Sequence, residues 1–98
     1  MSWWQLTEIA EEDLECLEEY IATDNPDAAA RIGDDLIDSF DLLAENREVG
    51  RLRTELGENI RSWVVGSYVV YYEPSGEGVA IMRIRHGRRD VLDAADLG

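Results

Sequence analysis

The side chains best suited to chemistry in this sequence are arginines, and eight of the nine lie in its second half. A guanidinium forms paired hydrogen bonds with a carboxylate or phosphate and stacks on aromatic rings, so clustered arginines predict an anion-binding surface. The segment 86–90, HGRRD, adds the only histidine of the chain. The candidate binding residues are Arg51, Arg53, Arg61, Arg83, Arg85, His86, Arg88 and Arg89.

Metal-free cleavage of RNA is one reaction that such residues could perform. It requires a base for the 2′-hydroxyl, an acid for the leaving oxygen and cations on the phosphate. The residue types needed are present in Glu55, Arg61, Arg83 and His86. A single histidine at a strand end is more often structural, so a catalytic site and a binding surface both stay open at this point.

Metal and cofactor sites have little support in the sequence. One histidine and scattered acids lack the spacing of metal ligands, and the single cysteine, Cys16, excludes an internal disulfide and a cysteine-based zinc site. No glycine-rich phosphate loop and no Gly-x-Ser-x-Gly motif occurs. We therefore expect neither a metal nor a cofactor.

Acidic charge is concentrated in the first half of the chain. The 98 residues carry a formal charge of −13, and residues 1–46 contain fourteen Asp and Glu against one Arg. Residues 47–98 contain eight Asp and Glu and eight Arg, and lysine is absent throughout. Because a strongly acidic protein is repelled by nucleic acid, we do not expect direct nucleic-acid binding.

The length predicts one domain over residues 1–98. No apolar run approaches the roughly 18 residues that a bilayer-spanning helix needs, and the first residues lack the pattern of a signal peptide. We expect a cytoplasmic protein without a membrane partner.

The first half of the chain predicts a helical hairpin. Asn25-Pro26 ends one helix and begins the next, with Asn25 as the N-cap of a helix that runs to about Ala44. Apolar residues at helical spacing mark the predicted buried sides. They are Ile9, Leu14, Leu17 and Ile21 in the first helix and Ala29, Ile32, Leu36, Phe40 and Leu43 in the second.

The second half predicts strands. The segments IRSWVVG, YVVYYEP and VAIMRIRH are rich in β-branched and aromatic residues, and Gly66-Ser67 predicts a two-residue hairpin loop. Residues 3–8 predict a further short strand. The expected fold class is α+β in the order β-α-α-β-β-β, with an antiparallel sheet covered on one face by the helical hairpin.

Strand alternation predicts where the arginines point. It places Arg61 on the same face as Trp63 and Val65. If Met82 and Ile84 face the helices, Arg83 and Arg85 line the opposite, open face of the sheet. A sheet with one covered face and one arginine-bearing face predicts a binding surface.

Three ordered segments carry a family resemblance. They are AEEDLECLEEYIATDNPDAAARI, GRLRTELGENIRSWVVGSYVVYYE and VAIMRIRHGRRD. In this order and spacing they resemble the ParE branch of the RelE/ParE toxins of type II toxin–antitoxin modules, over roughly residues 6 to 92. The resemblance implies the same β-α-α-β-β-β fold and a toxin that a cognate, ParD-like antitoxin neutralises.

The resemblance implies one of two activities. ParE-like members poison DNA gyrase by binding it, whereas RelE-like members cleave messenger RNA in the ribosomal A site. RelE-like nucleases tend to be basic and often have a catalytic tyrosine near the C-terminus, whereas this chain is acidic and has no tyrosine after Tyr72. We therefore expect a gyrase inhibitor without catalytic residues. The alternatives are a nuclease that uses Glu55, Arg61, Arg83 and His86, and a non-toxic homologue that only binds antitoxin.

Contacts with the antitoxin follow from the charge distribution. In this family the antitoxin's C-terminal segment folds onto the hairpin and the sheet of its toxin. The acidic helices predict basic residues in that segment, and the arginine face predicts acidic or apolar ones. Within HGRRD, the histidine is expected to form a structural corner that presents Arg88 and Arg89 to a protein target.

The lysine-free, acidic composition also suggests adaptation to a salty cytoplasm. Because salt screens repulsion among the acids of residues 1–46, we expect the urea midpoint of unfolding to be higher in molar salt than at low salt. Urea titrations at the two salt concentrations, followed by circular dichroism, test this. Equal midpoints would remove the hypothesis.

Overall fold

The computed structural model describes residues 2–87, which form two helices and one five-stranded sheet. The strand order across the sheet is β1-β5-β4-β3-β2. In chain order the elements are β1 (Trp4–Leu6), α1 (Glu8–Asp24), α2 (Pro26–Glu45), β2 (Arg51–Leu52), β3 (Arg61–Val65), β4 (Tyr68–Ser75) and β5 (Gly78–His86). The predicted α+β class, with a helical hairpin and a three-stranded meander, is confirmed.

Two features of the sheet differ from the prediction. The pairs β2–β3, β3–β4 and β4–β5 are antiparallel, but β1 pairs with β5 in parallel. The short strand β2 was not predicted, because two residues are too few to show an alternating pattern. The sheet is therefore mixed and one strand wider than the sequence indicated.

Asn25 joins the two helices as predicted. Its backbone N–H donates to the Ile21 carbonyl at the end of α1, and its side-chain oxygen accepts from Ala28 N at 3.0 Å at the start of α2. Pro26 follows as the first helical residue, where its missing N–H costs no hydrogen bond. One residue thus caps both helices and sets the sharp turn of the hairpin.

The main core lies between the hairpin and one face of the sheet. Its fully buried residues include Leu36, Phe40 and Leu43 of α2, packed against Val70 and Tyr72 of β4 and Val79 and Ile81 of β5. The predicted stripe of α2 is confirmed at Leu36, Phe40 and Leu43. The predicted stripe of α1 was wrong at Ile9, which is 43% exposed, because the helix turns Ala10 to the core instead.

A β-bulge changes which residues of β5 face the core. Tyr71 pairs with Arg83 whereas Tyr72 pairs with Ile81, so Met82 is an extra residue on β5. Ile81 and Ile84 therefore both face the main core, three residues apart. Met82 packs in a second cluster away from the helices. The expectation that Met82 and Ile84 share a face was wrong for this reason.

Tyr72 connects the core to the segment before β3. Its ring is fully buried, and its hydroxyl accepts from Gly50 N at 2.8 Å and donates to the Arg47 carbonyl at 3.0 Å. Burial raises the pKa of Tyr72, and the hydrogen bond from Gly50 opposes that shift. The hydroxyl thus holds in place the loop that leads into β2.

Tyr72→Phe tests this connection. It leaves the buried N–H of Gly50 without its acceptor, so we expect a loss of about 1–3 kcal/mol in the free energy of unfolding. Tyr68→Phe, which keeps the ring that contacts His86, is the matched control and should change stability by about 0.5 kcal/mol or less. Urea unfolding of the three proteins makes the comparison, and equal losses in both variants would contradict the role of Tyr72.

The effect of Tyr72→Phe on the free energy of unfolding should depend on pH. Because the pKa of Tyr72 is raised in the folded state, its stabilising contribution is complete below the ordinary tyrosine pKa of about 10 and is lost as pH rises through the folded value. The stability difference between the wild type and Tyr72→Phe should therefore shrink above about pH 10.

Candidate functional site

The open face of the sheet, opposite the helices, carries only part of the predicted arginine set. The register aligns Arg51, Ser62, Tyr71 and Arg83 across strands β2 to β5, and Val64, Val69 and Arg85 across β3 to β5. Arg61 pairs with Tyr72 and so lies on the helix-covered face, together with Trp63 and Val65, as alternation predicted. Arg88 and Arg89 lie outside the described residues.

Arg61 is used by the fold. Its Nη1 donates to the carbonyls of Glu48 at 3.0 Å and Gly50 at 2.8 Å. These are the carbonyls of the segment that Tyr72 also holds. Arg61 therefore closes the loop before β2, and this role explains why an arginine lies on the covered face of β3.

The loop between β2 and β3 covers part of the open face. Leu56 and Ile60 from this loop are 7% and 6% exposed, and they pack with Tyr71 of β4, which is 6% exposed. Val69 and Met82 border this second cluster. The open face is consequently not a bare sheet, and the loop places Arg53 and Glu55 above it.

Arg53 is the most fully engaged side chain on this face. Its Nε donates to Glu55 Oε2 at 2.8 Å, its Nη1 to Ser62 Oγ at 3.3 Å, and its guanidinium lies 5.6 Å from the centre of the Tyr71 ring. The hydrogen bond to Glu55 raises the pKa of Arg53 further, and the same bond lowers the pKa of Glu55. Arg51 adds a smaller positive-charge effect on Glu55, which places both arginines near one carboxylate.

Beside this pair lies a groove that we call the Arg53 groove. Its walls combine two cations with exposed valines, of which Val64 is 67% and Val49 is 45% exposed. A surface that offers arginines beside apolar side chains suits a partner with carboxylates and apolar residues. The lining residues are Val49, Arg51, Arg53, Ser62, Trp63, Val64 and Val69.

Arg83 binds helix α1 instead of lining the open face. Its Nε and Nη2 donate to the two carboxylate oxygens of Asp13 at 2.7 and 3.1 Å, and Ile84 N donates to Asp13 Oδ2 at 3.0 Å. Both side chains are mostly buried, at 14% and 16% exposure. The ion pair therefore holds α1 against the edge of β5, beyond the point where β1 ends.

The sequence contained a signal for the role of Asp13. It lies between Ala10 and Leu17 at helical spacing, on the side of α1 that is buried. A carboxylate on such a face requires a partner, because burying an unpaired charge is costly. Helical spacing does not identify a partner on a distant strand, so this pairing was missed.

His86 and Arg85 lie near the end of β5. The His86 ring contacts Tyr68 edge to face, with centroids 5.5 Å apart, and Arg85 pairs with Val69 in the register. Together with Cys16 and Tyr20 of α1 they border a shallow cleft between helix and strand. The expected structural role of His86 stays a prediction.

The alternative catalytic set is not brought together. Arg61 and His86 are on strands separated by β4, and their partners Tyr72 and Tyr68 are four residues apart, so their Cα atoms are about 16 Å apart at ~3.3 Å per residue and ~4.8 Å per strand. Glu55 lies at the Arg61 end, since Arg53 N donates to the Ile60 carbonyl. Arg83 is paired with Asp13. Glu55 and His86 therefore face different parts of the surface.

Residues 2–87 offer neither a metal-ligand cluster nor a membrane-spanning helix. This part of the chain contains no group of three His, Cys, Asp or Glu side chains that could hold a metal ion. Neither of its helices is both long and apolar enough to cross a bilayer.

Comparison with known proteins gives one family match for this chain. A family model described as the ParE toxin of the type II toxin–antitoxin system parDE matches residues 5–91. The comparison with curated protein sequences finds no match.

Two solved structures are similar over most of the chain. One is of the chromosomal ParDE toxin–antitoxin system from P. aeruginosa, with a TM-score of 0.73 and 18% identity, covering 88% of this chain and 96% of that one. The other is of the toxin–antitoxin complex RelBE2 from Mycobacterium tuberculosis, with a TM-score of 0.59 and 28% identity, covering 91% and 93%. The first likeness, at low identity, bears on the fold alone.

Asp13→Asn tests the pair that joins α1 to β5. It removes the charge that neutralises a mostly buried Arg83, so we expect a loss of about 2–4 kcal/mol in the free energy of unfolding. Asp34→Asn, the same change at an exposed position of α2, is the control and should have little effect. In the double variant Asp13→Asn/Arg83→Gln the two losses should be less than additive. Additive losses in urea unfolding would show that the pair is not coupled.

Proposed function

Because the chain belongs to the ParE toxin family of type II toxin–antitoxin systems, we propose that it arrests growth by binding DNA gyrase and that a cognate, ParD-like antitoxin neutralises it. The observation that carries this proposal is the family match, which spans residues 5–91 of the 98-residue chain. The similar structure at 28% identity is likewise that of a toxin–antitoxin complex. The proposed activity is inhibition by binding, in which no bond of the target is cleaved.

The placement of the arginines supports binding over catalysis. Arg61 and Arg83 each serve the fold through short hydrogen bonds, to backbone carbonyls and to Asp13 respectively. Glu55 and His86, the acid and base of the alternative nuclease, lie at different ends of the sheet. A binding surface needs no such convergence, and the Arg53 groove offers two guanidinium groups beside exposed valines without it.

We assign the target- and antitoxin-binding residues accordingly. Arg51, Arg53 and Arg85 are the described arginines of the open face, and Arg88 and Arg89, which lie outside the described residues, are proposed to bind the target as well. The antitoxin contacts are proposed to divide by charge. Basic residues of the antitoxin would lie on the acidic hairpin, and acidic or apolar residues would lie on the open face.

Inducing the chain in cells without its antitoxin tests the proposal. We expect early arrest of DNA synthesis with induction of the DNA-damage response, because a poisoned gyrase stalls replication. Incorporation of labelled thymidine and of labelled amino acids, followed separately, distinguishes the outcomes. Immediate arrest of translation with cleaved messages would support the nuclease instead, and unimpaired growth would support a non-toxic, antitoxin-binding homologue.

A double variant in the same induction experiment tests whether the segment HGRRD binds the target. The double variant Arg88→Ala/Arg89→Ala should lose most of its toxicity while it still binds antitoxin. Arg31→Ala, at an exposed position of α2, is the matched control and should stay toxic. Full toxicity of the double variant would place the target-binding residues elsewhere.

A further inference from the structure

The ion pair between Arg53 and Glu55 is asymmetric. The Arg53 side chain is 24% exposed and is held from two further sides by Ser62 and the Tyr71 ring. The Glu55 side chain is 59% exposed, and its carboxylate accepts from Arg53 Nε at 2.8 Å and from its own backbone N–H. The cation is therefore preorganised, whereas its carboxylate partner is free to leave for solvent at small cost.

The position that Glu55 occupies lies beside an apolar surface. Val64 and Val49 are largely exposed in the Arg53 groove, and Val69 forms part of its floor. Arg51 lines the same groove and acts electrostatically on the Glu55 carboxylate. A carboxylate at this place thus meets two guanidinium groups, with valines available to an apolar neighbour of the carboxylate.

Exchange of one carboxylate for another is energetically accessible here. An exposed ion pair contributes little, because solvent screens it and long side chains lose entropy in forming it. A partner that buries the groove removes water from Arg53, and hydrogen bonds to its guanidinium then become stronger. A carboxylate from a bound partner would therefore compete successfully with Glu55 for the same donors.

We propose that Glu55 is an internal stand-in for a carboxylate of the antitoxin, displaced when an antitoxin Asp or Glu pairs with Arg53 and an adjacent apolar residue packs on Val64 and Val69. This inference rests on the proposed function, since it assigns the antitoxin as the occupant of the groove. Charge complementarity favours that occupant, because the groove offers guanidinium groups and valines where the rest of the chain is acidic. Glu55 then lowers the affinity of the chain for the antitoxin instead of raising it.

Glu55→Gln tests whether Glu55 competes with the antitoxin for Arg53 or instead helps Arg53 to bind the antitoxin. Removing the competing charge should tighten binding of the purified antitoxin to the full-length chain by about two- to fivefold, the equivalent of one exposed ion pair. If Glu55 instead positioned Arg53 for the partner, the same change would weaken binding. Glu58→Gln, an equal change of charge at an exposed residue of the same loop, is the control and should leave the affinity near that of the wild type.

Arg53 variants test whether a carboxylate of the antitoxin pairs with this arginine. Arg53→Gln should weaken antitoxin binding by about ten- to a hundredfold, and Arg53→Lys should recover only part of it, because lysine lacks the planar fork. Arg47→Gln, at an arginine that donates to the Gly76 carbonyl and does not line the groove, serves as the matched arginine control. In the Arg53→Gln background, Glu55→Gln should no longer tighten binding, since no shared cation remains.

Calorimetric titration of each purified full-length variant with the antitoxin measures these effects, and thermal unfolding confirms that the variants are folded. Binding of the wild type with no gain in Glu55→Gln, or a gain of equal size in Glu58→Gln, overturns this inference and leaves the proposed function standing. Failure of the wild type to bind the antitoxin overturns the proposed function and this inference together.

Discussion

The two hydrogen bonds of the buried Tyr72 hydroxyl are the constraint on which the proposed binding face depends. The ring lies at the centre of the core, but its oxygen reaches the backbone of Arg47 and Gly50. That segment leads into β2, where Arg51 pairs with Ser62 and the chain continues to Arg53. The buried Tyr72 of the main core thereby helps to fix the positions of Arg51 and Arg53, so the proposed binding residues depend on the stability of the core.

The structure reconciles an acidic chain with its many arginines. Arg61 satisfies backbone carbonyls, Arg83 neutralises an acid on the buried side of α1, and Arg53 joins the loop to the sheet through Ser62 and Tyr71. Each uses the guanidinium as a multiple donor with a fixed shape, which a lysine ammonium cannot reproduce. A cluster of arginines in a small domain therefore does not by itself measure its affinity for nucleic acid.

Much of the fold, but less of the site, could be predicted from the sequence. Asn25-Pro26 and the apolar spacing of α2 are local signals, and they located the hairpin correctly. The bulge at Met82, the strand β2 and the pairing of Asp13 with Arg83 depend on contacts between distant segments, to which local periodicity is insensitive. Because one extra residue on β5 changes which side chains face the helices, the predicted arginine face was only partly correct.

The separation of Glu55 from His86 has a consequence for how this fold can diversify. General acid–base catalysis demands that several groups converge within hydrogen-bonding reach of one substrate, so displacing a single group costs most of the rate. Recognition of a protein distributes its free energy over a surface and tolerates arginines that serve the fold, provided others stay exposed. In this chain Arg61 and Arg83 are committed to internal contacts, and Arg51 and Arg53 are presented at the groove. A scaffold arranged in this way can present arginines at a surface without bringing Glu55 and His86 together.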